Sequence, residues 1–122
     1  SIEQFVSCEK RAWHAGVSSF LGRDNCNDFS IGIEVEGTDF CDFEDVQYER
    51  LVELLSAIAI RYPIAAVVAH SDVAPGRKTD PGPHFDWVRL QREGVRFGEP
   101  EFPGAAARVA RSLLQARAGY QV

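Results

Sequence analysis

Methionine is absent from the 122 residues, and no apolar run approaches the ~20 residues a membrane-spanning helix requires. The opening Ser1, Ile2, Glu3, Gln4, Phe5 has neither the basic start nor the apolar stretch of a secretory leader. It also lacks a helix cap and runs straight into an apolar/polar alternation, the expectation for a chain opened inside a strand. Positive charge is scarce: 13 Lys and Arg face 18 Asp and Glu, a net charge of −5, and no basic stripe appears. A nucleic-acid partner is excluded on that ground, because phosphate neutralisation needs clustered cations. Cysteine is limited to Cys8, Cys26 and Cys41, an odd number with no Cys-x-x-Cys pair. That excludes a disulfide framework or a zinc knuckle, and free thiols suit a reducing cytoplasm. Internal repeats and low-complexity tracts are absent as well.

What is present is an ordinary globular balance, with 45% hydrophobic and 25% charged residues in a length that fits one domain. The acidic excess falls mostly in residues 34–53 and reads as solvated surface. Residues 2–7 suggest a short strand. Residues 8–28 are rich in Gly, Ser, Asn and Asp and predict a long irregular loop, of the kind more often functional than decorative. Residues 29–36 alternate cleanly: Phe29, Ile31, Ile33 and Val35 on one face, Ser30, Gly32, Glu34 and Glu36 on the other. Small residues on the second face let something approach the sheet closely, and its acids need solvent, a cation or a ligand.

Residues 45–62 predict a helix, with Leu51, Leu54, Leu55, Ile58 and Tyr62 at helical spacing and Pro63 as its stop. Residues 64–69 form a continuous apolar run ending on His70, as expected of a strand buried on both faces. A Pro/Gly-rich loop through Pro83 and a short helix over residues 86–92 follow. Residues 104–120 are Ala-rich and suggest a further helix. Together these elements predict a mixed α/β fold, a mixed sheet flanked by helices.

Chemistry-bearing residues gather around that framework. His70 stands where the buried run emerges, and Asp80 follows ten residues later in a loop held by Pro and Gly. Imidazole and carboxylate are standard zinc ligands, although either residue alone suits a structural role equally. Lys78 could stabilise an oxyanion beside a metal or be a solvated loop lysine. Glu34, on the same face as Gly32 and Ser30, could orient or deprotonate an attacking water, or be a surface acid. Trp13 and His14 sit in the early loop, where the indole offers a flat surface for a sugar or anchors the loop to the core. His14 could hydrogen-bond a substrate carbonyl. His84 reads as loop packing or surface.

Three segments carry a family resemblance. They are Lys10-Arg11-Ala12-Trp13-His14-Ala15-Gly16-Val17-Ser18-Ser19, the strand region Cys26-Asn27-Asp28-Phe29-Ser30-Ile31-Gly32-Ile33-Glu34-Val35-Glu36-Gly37-Thr38-Asp39, and the stretch from His70 through Lys78 and Asp80 to Pro83 with Phe85-Asp86-Trp87. In order and spacing, over roughly residues 2–90, they resemble the zinc amidases that cut the bond between muramic acid and L-alanine, a group that includes peptidoglycan recognition proteins. The resemblance implies zinc held by two histidines and an aspartate, with His70 and Asp80 matching two of the three. It implies Glu34 as catalytic glutamate and Lys78 as transition-state lysine. The matching position of the other histidine lies on a strand upstream of Ser1, so residues 1–90 are expected to be the C-terminal part of an amidase domain. Residues 91–122 are expected to be a helical extension. Trp13, His14, Asn27 and Arg77 are expected in the substrate wall, Arg77 suiting a peptide carboxylate. The implied substrate is a muropeptide, the implied setting cytoplasmic peptidoglycan recycling, with no membrane partner. The alternatives are a binding module without catalysis and an inactive fragment.

Overall fold

The computed structural model describes residues 1–38, 40–95 and 120–121. Its elements in chain order are strands β1 (Ser19–Phe20) and β2 (Arg23–Asp24), a 3-10 turn (Cys26–Asp28), strand β3 (Gly32–Ile33), helices α1 (Asp45–Arg61), α2 (His70–Val73) and α3 (Trp87–Arg92), and strand β4 (Tyr120–Gln121). The fold is mixed α/β. Two antiparallel pairs make up its strands, β1 with β2 and β3 with β4, the latter in a register placing Gly32 opposite Gln121 and Ile33 opposite Tyr120.

Helix α1 follows the residue pattern. Gln47 Oε1 accepts the Glu44 N–H at 2.8 Å, satisfying a donor that no helical carbonyl can reach at the N-terminus. Tyr48, Leu51 and Leu55 fall on one face and are buried. Arg61 closes the last turn, and at Tyr62 the backbone becomes extended just ahead of Pro63. The buried face of α1 packs with Val67, Ala69, Phe85, Trp87 and Leu90 into the larger core cluster. Edge-on rings tie it together, Phe43 to Phe85 at 5.3 Å and Phe85 to Trp87 at 5.2 Å between centroids. The Tyr48 hydroxyl accepts the Asp86 N–H at 2.9 Å, and Asp86 in turn caps α3 by accepting from the Arg89 N–H at 3.0 Å. One tyrosine thereby locks the two helices in register.

A second, smaller cluster holds Ala15, Cys26 and Val73, with Phe20, Phe29 and Val68 against it. Residues 67–69 separate the two clusters: Val67 and Ala69 belong to the larger, and Val68 packs on the smaller. That alternation explains why residues 67–69 are all apolar. They do not form the expected strand, since only Val68 makes a bridge and Ala65 is exposed. A strand needs a laddered neighbour, and none lies against this run along its length among the described residues.

Other expectations are also corrected. Residues 2–7 form no strand; Ile2, Phe5 and Val6 are exposed, so nothing buries the alternation. The loop of residues 8–28 contains the β1–β2 hairpin and the 3-10 turn, with Leu21 and Gly22 at positive φ supplying the reversal. Only Gly32–Ile33 of residues 29–36 is laddered, yet Phe29, Ile31, Ile33 and Val35 are half-buried while Gly32, Glu34 and Glu36 are exposed. The short helix at residues 86–92 is α3. The helix expected over residues 104–120 lies outside the described residues, except that Tyr120 belongs to β4. No helix among the described residues is long and apolar enough to cross a membrane.

Candidate active site

His70 opens α2, a single turn in which the Ala69 N–H is capped by Asp72 Oδ2 at 3.0 Å. It therefore begins a helix rather than ending a strand, directly after the fully buried Ala69. The ring is nearly enclosed, its side chain 13% exposed against 49% for Asp80. Nδ1 lies 3.0 Å from Asp80 Oδ2, and Nε2 lies 3.1 Å from the Ala15 carbonyl oxygen. The structure thus brings together the two candidate ligands. A carbonyl only accepts, so Nε2 carries the proton, and the Nδ1 lone pair faces a carboxylate oxygen. Two acceptors at that separation need a positive charge between them, a proton or a metal ion.

The Ala15 carbonyl is held by more than His70. Arg77 Nη2 donates to it at 2.6 Å and to the Val17 carbonyl at 2.9 Å, while Arg77 Nε donates to Val17 at 3.2 Å. Gly16 makes this approach possible: its φ is +63°, and a Cβ there would come within 3.0 Å of Arg77 Nη2. On the other side, Asn27 Oδ1 accepts the Ala15 N–H at 2.7 Å. Asn27 is only 6% exposed. Asn27 and Arg77, expected in the substrate wall, are thus engaged in holding the Ala15 backbone.

His14 lies over Gly32, where a Cβ would fall within 2.5 Å of the ring's Cγ. The close approach that the small residues of β3 allow is made by this histidine. Ser30 Oγ donates to the Cys26 carbonyl at 2.6 Å, so its single proton is committed and it accepts from His14 Nε2 at 2.7 Å. That assigns the Nε2–H tautomer. Nδ1 is buried with no hydrogen-bond partner among the described residues. Burial, and then the nearby His70, lower the affinity of His14 for a second proton. In this arrangement the Nε2–H of His14 is committed to Ser30.

Glu34 is exposed, two residues beyond Gly32 on the same face, and Lys78 is exposed with its backbone N–H bonded to the Ala74 carbonyl at 3.0 Å. Trp13 is 81% exposed, with the Arg11 guanidinium 3.9 Å from its ring centroid and Arg11 itself paired with Asp28. It is a platform steadied from one side, not a loop anchor. His84 pairs with Asp42 at 2.8 Å on the surface. Sequence reasoning missed the Ala15 carbonyl, since a backbone acceptor leaves no mark in side-chain patterns. Asn27 was marked in the sequence only by the resemblance of the segment that holds it. Among the described residues, no group of three metal-ligating side chains forms.

Sequence and fold together place the chain in a class of amidase-family domains. Residues 1–83 match the model of the N-acetylmuramoyl-L-alanine amidase family, and the chain belongs to that family. The chain is 58% identical over 91 residues to the 1,6-anhydro-N-acetylmuramyl-L-alanine amidase AmpD of Enterobacter cloacae, covering 73% of this chain and 49% of that protein. It superposes on a selenomethionine AmpD crystal structure with a TM-score of 0.68 at 50% identity, over 75% of this chain and 52% of the other. With AmpDh3 of Pseudomonas aeruginosa, solved in complex with anhydromuramic pentapeptide, the TM-score is 0.65 at 44% identity, over 74% and 40%. The chain spans about half the length of the curated relatives it matches.

Proposed function

We propose that this chain carries catalytic groups of a zinc-dependent amidase that hydrolyses the bond between (1,6-anhydro-)N-acetylmuramic acid and L-alanine in muropeptides. Its setting is cytoplasmic peptidoglycan recycling, which agrees with the free thiols of Cys8, Cys26 and Cys41. The observation that carries the reading is the His70 Nδ1–Asp80 Oδ2 separation of 3.0 Å, with His70 backed through Nε2 by a carbonyl. Ligands of one tetrahedral zinc, with bonds of about 2.0 Å, stand about 3.3 Å apart. A ligating histidine characteristically gives its other N–H to such an acceptor. The residues present therefore fit zinc as two of its ligands, and a third donor completes the set.

Zinc supplies a Lewis acid that polarises the scissile carbonyl and makes a water acidic enough to attack near neutral pH. Glu34, exposed on the face that His14 overlies, takes or orients the proton of that water. Lys78, two residues before Asp80, offers an ammonium to the oxygen that gains charge and helps protonate the leaving amine. Trp13 offers its exposed ring to the sugar or peptide. The AmpDh3 complex with anhydromuramic pentapeptide supports this substrate class for a relative at 44% identity.

The test measures zinc content and muropeptide hydrolysis in the full-length protein and its Glu34→Ala variant. One equivalent of zinc in both, with turnover reduced at least about a hundredfold in the variant, is the expected outcome. Wild-type turnover in Glu34→Ala would remove that carboxylate from the reaction. Muropeptide binding without zinc or released peptide would make the chain a recognition module instead.

A further inference from the structure

We propose that Asn27 is a positioning residue for His70, acting through the backbone of Ala15. Ala15 is fully buried and gripped on both flanking peptide units: its N–H goes to Asn27 Oδ1 at 2.7 Å, and its carbonyl receives His70 Nε2 at 3.1 Å and Arg77 Nη2 at 2.6 Å. The direction of the His70 ring depends on where that carbonyl points. With Nε2–H bound to it, Nδ1 is left as the free donor atom facing Asp80. Arg77, an exposed residue overall, divides its guanidinium between Ala15 and Val17 and so cannot fix the carbonyl by itself. Asn27 can. It is buried within the 3-10 turn, beside Cys26, whose N–H is accepted by Ser18 Oγ at 3.1 Å. A short buried bond from a residue on that turn has little freedom, so the Ala15 N–H is tied to the body of the smaller core cluster.

The inference deepens the zinc reading and rests on it for its consequence, since what Asn27 sets is the aim of a ligand atom. Outer partners of ligating histidines affect metal affinity by about 10–100-fold. Asn27→Ala removes the acceptor, and Asn27→Asp restores an acceptor of the same shape. The expected result in chelator competition is zinc affinity weakened at least about tenfold in Asn27→Ala and kept within about threefold of wild type in Asn27→Asp. Equal affinity of folded Asn27→Ala and wild type would overturn the proposal.

A second measurement needs no zinc. In nitrogen-15 spectra of the metal-free wild-type protein, His70 should carry a slowly exchanging Nε2 proton coupled to the Ala15 carbonyl. That exchange should speed up in Asn27→Ala and recover in Asn27→Asp. A His70 Nε2 with no such proton or coupling in wild type overturns the proposal, whether or not the variants fold. Failure of the wild-type protein to bind zinc would instead strike the functional reading, leaving these ring signals to decide the role of Asn27.

Discussion

His14 and Gly32 show how one side chain's absence defines another's place. The imidazole occupies the space where any Cβ at position 32 would lie, 2.5 Å from its Cγ. Gly32→Ala should displace the ring, break the Ser30 bond and cost roughly 1–3 kcal/mol, measured by urea unfolding; unchanged stability would mean the ring moves freely. The same histidine makes stability pH-dependent. Its folded-state pKa lies below the ordinary 6.5, because burial and then His70 disfavour its charged form. Above about pH 6.5 neither state takes up the proton and His14 contributes nothing to the pH dependence. As pH falls below that value, the unfolded chain binds a proton that the folded chain refuses, so stability declines until the folded pKa is reached. Unfolding midpoints at pH 7.5 and 5.5 should therefore differ more in wild type than in His14→Gln; equal differences would place the pH dependence elsewhere.

At the scale of elements, α1 was legible because its signals agree: an apolar face at helical spacing and Pro63 beyond its end. Leu55 is 5% exposed within the larger cluster. Leu55→Ala should cost about 2–5 kcal/mol, the range for emptying a leucine site. Chemical denaturation checks it, and a loss under 1 kcal/mol would mean that neighbouring side chains collapse into the space. Residues 64–69 were less legible. An apolar run records burial on both sides, which Val67, Val68 and Ala69 show, but not whether a neighbour supplies a ladder. The alternation over residues 29–36 had the same limit. Its period revealed that Phe29, Ile31, Ile33 and Val35 turn inward, while pairing with β4 covers only Gly32 and Ile33, and Ser30 on the other face is half-buried as well.

For the whole molecule, the site lies where the two core clusters meet. Val67, Val68 and Ala69 feed alternately into them and deliver His70 at their boundary, where the loop bearing Ala15 comes against it. Metal binding to the folded state alone should then stabilise the full-length protein. Free zinc at a hundred times its dissociation constant contributes about 2.7 kcal/mol, a rise of roughly 10 °C in melting temperature for a domain of this size. Calorimetry with and without chelator tests it, with Asp80→Ala as the control that loses the shift. A melting temperature indifferent to zinc would contradict the assignment of His70 and Asp80.

Periodicity and breakers act between residues close in the chain, and so the residue order alone determined α1, the two-sided burial around residue 67 and the faces of residues 29–36. The motif stretches likewise marked His70, Asp80, Lys78 and Glu34 as residues to watch. Only the tertiary structure decided that His70 lies between Asp80 and the Ala15 carbonyl, that Asn27 grips a backbone N–H, and that the ring over Gly32 is His14. Those relations join residues 10 to 55 positions apart, often through backbone atoms common to every amino acid, and folding alone brings them within hydrogen-bond reach.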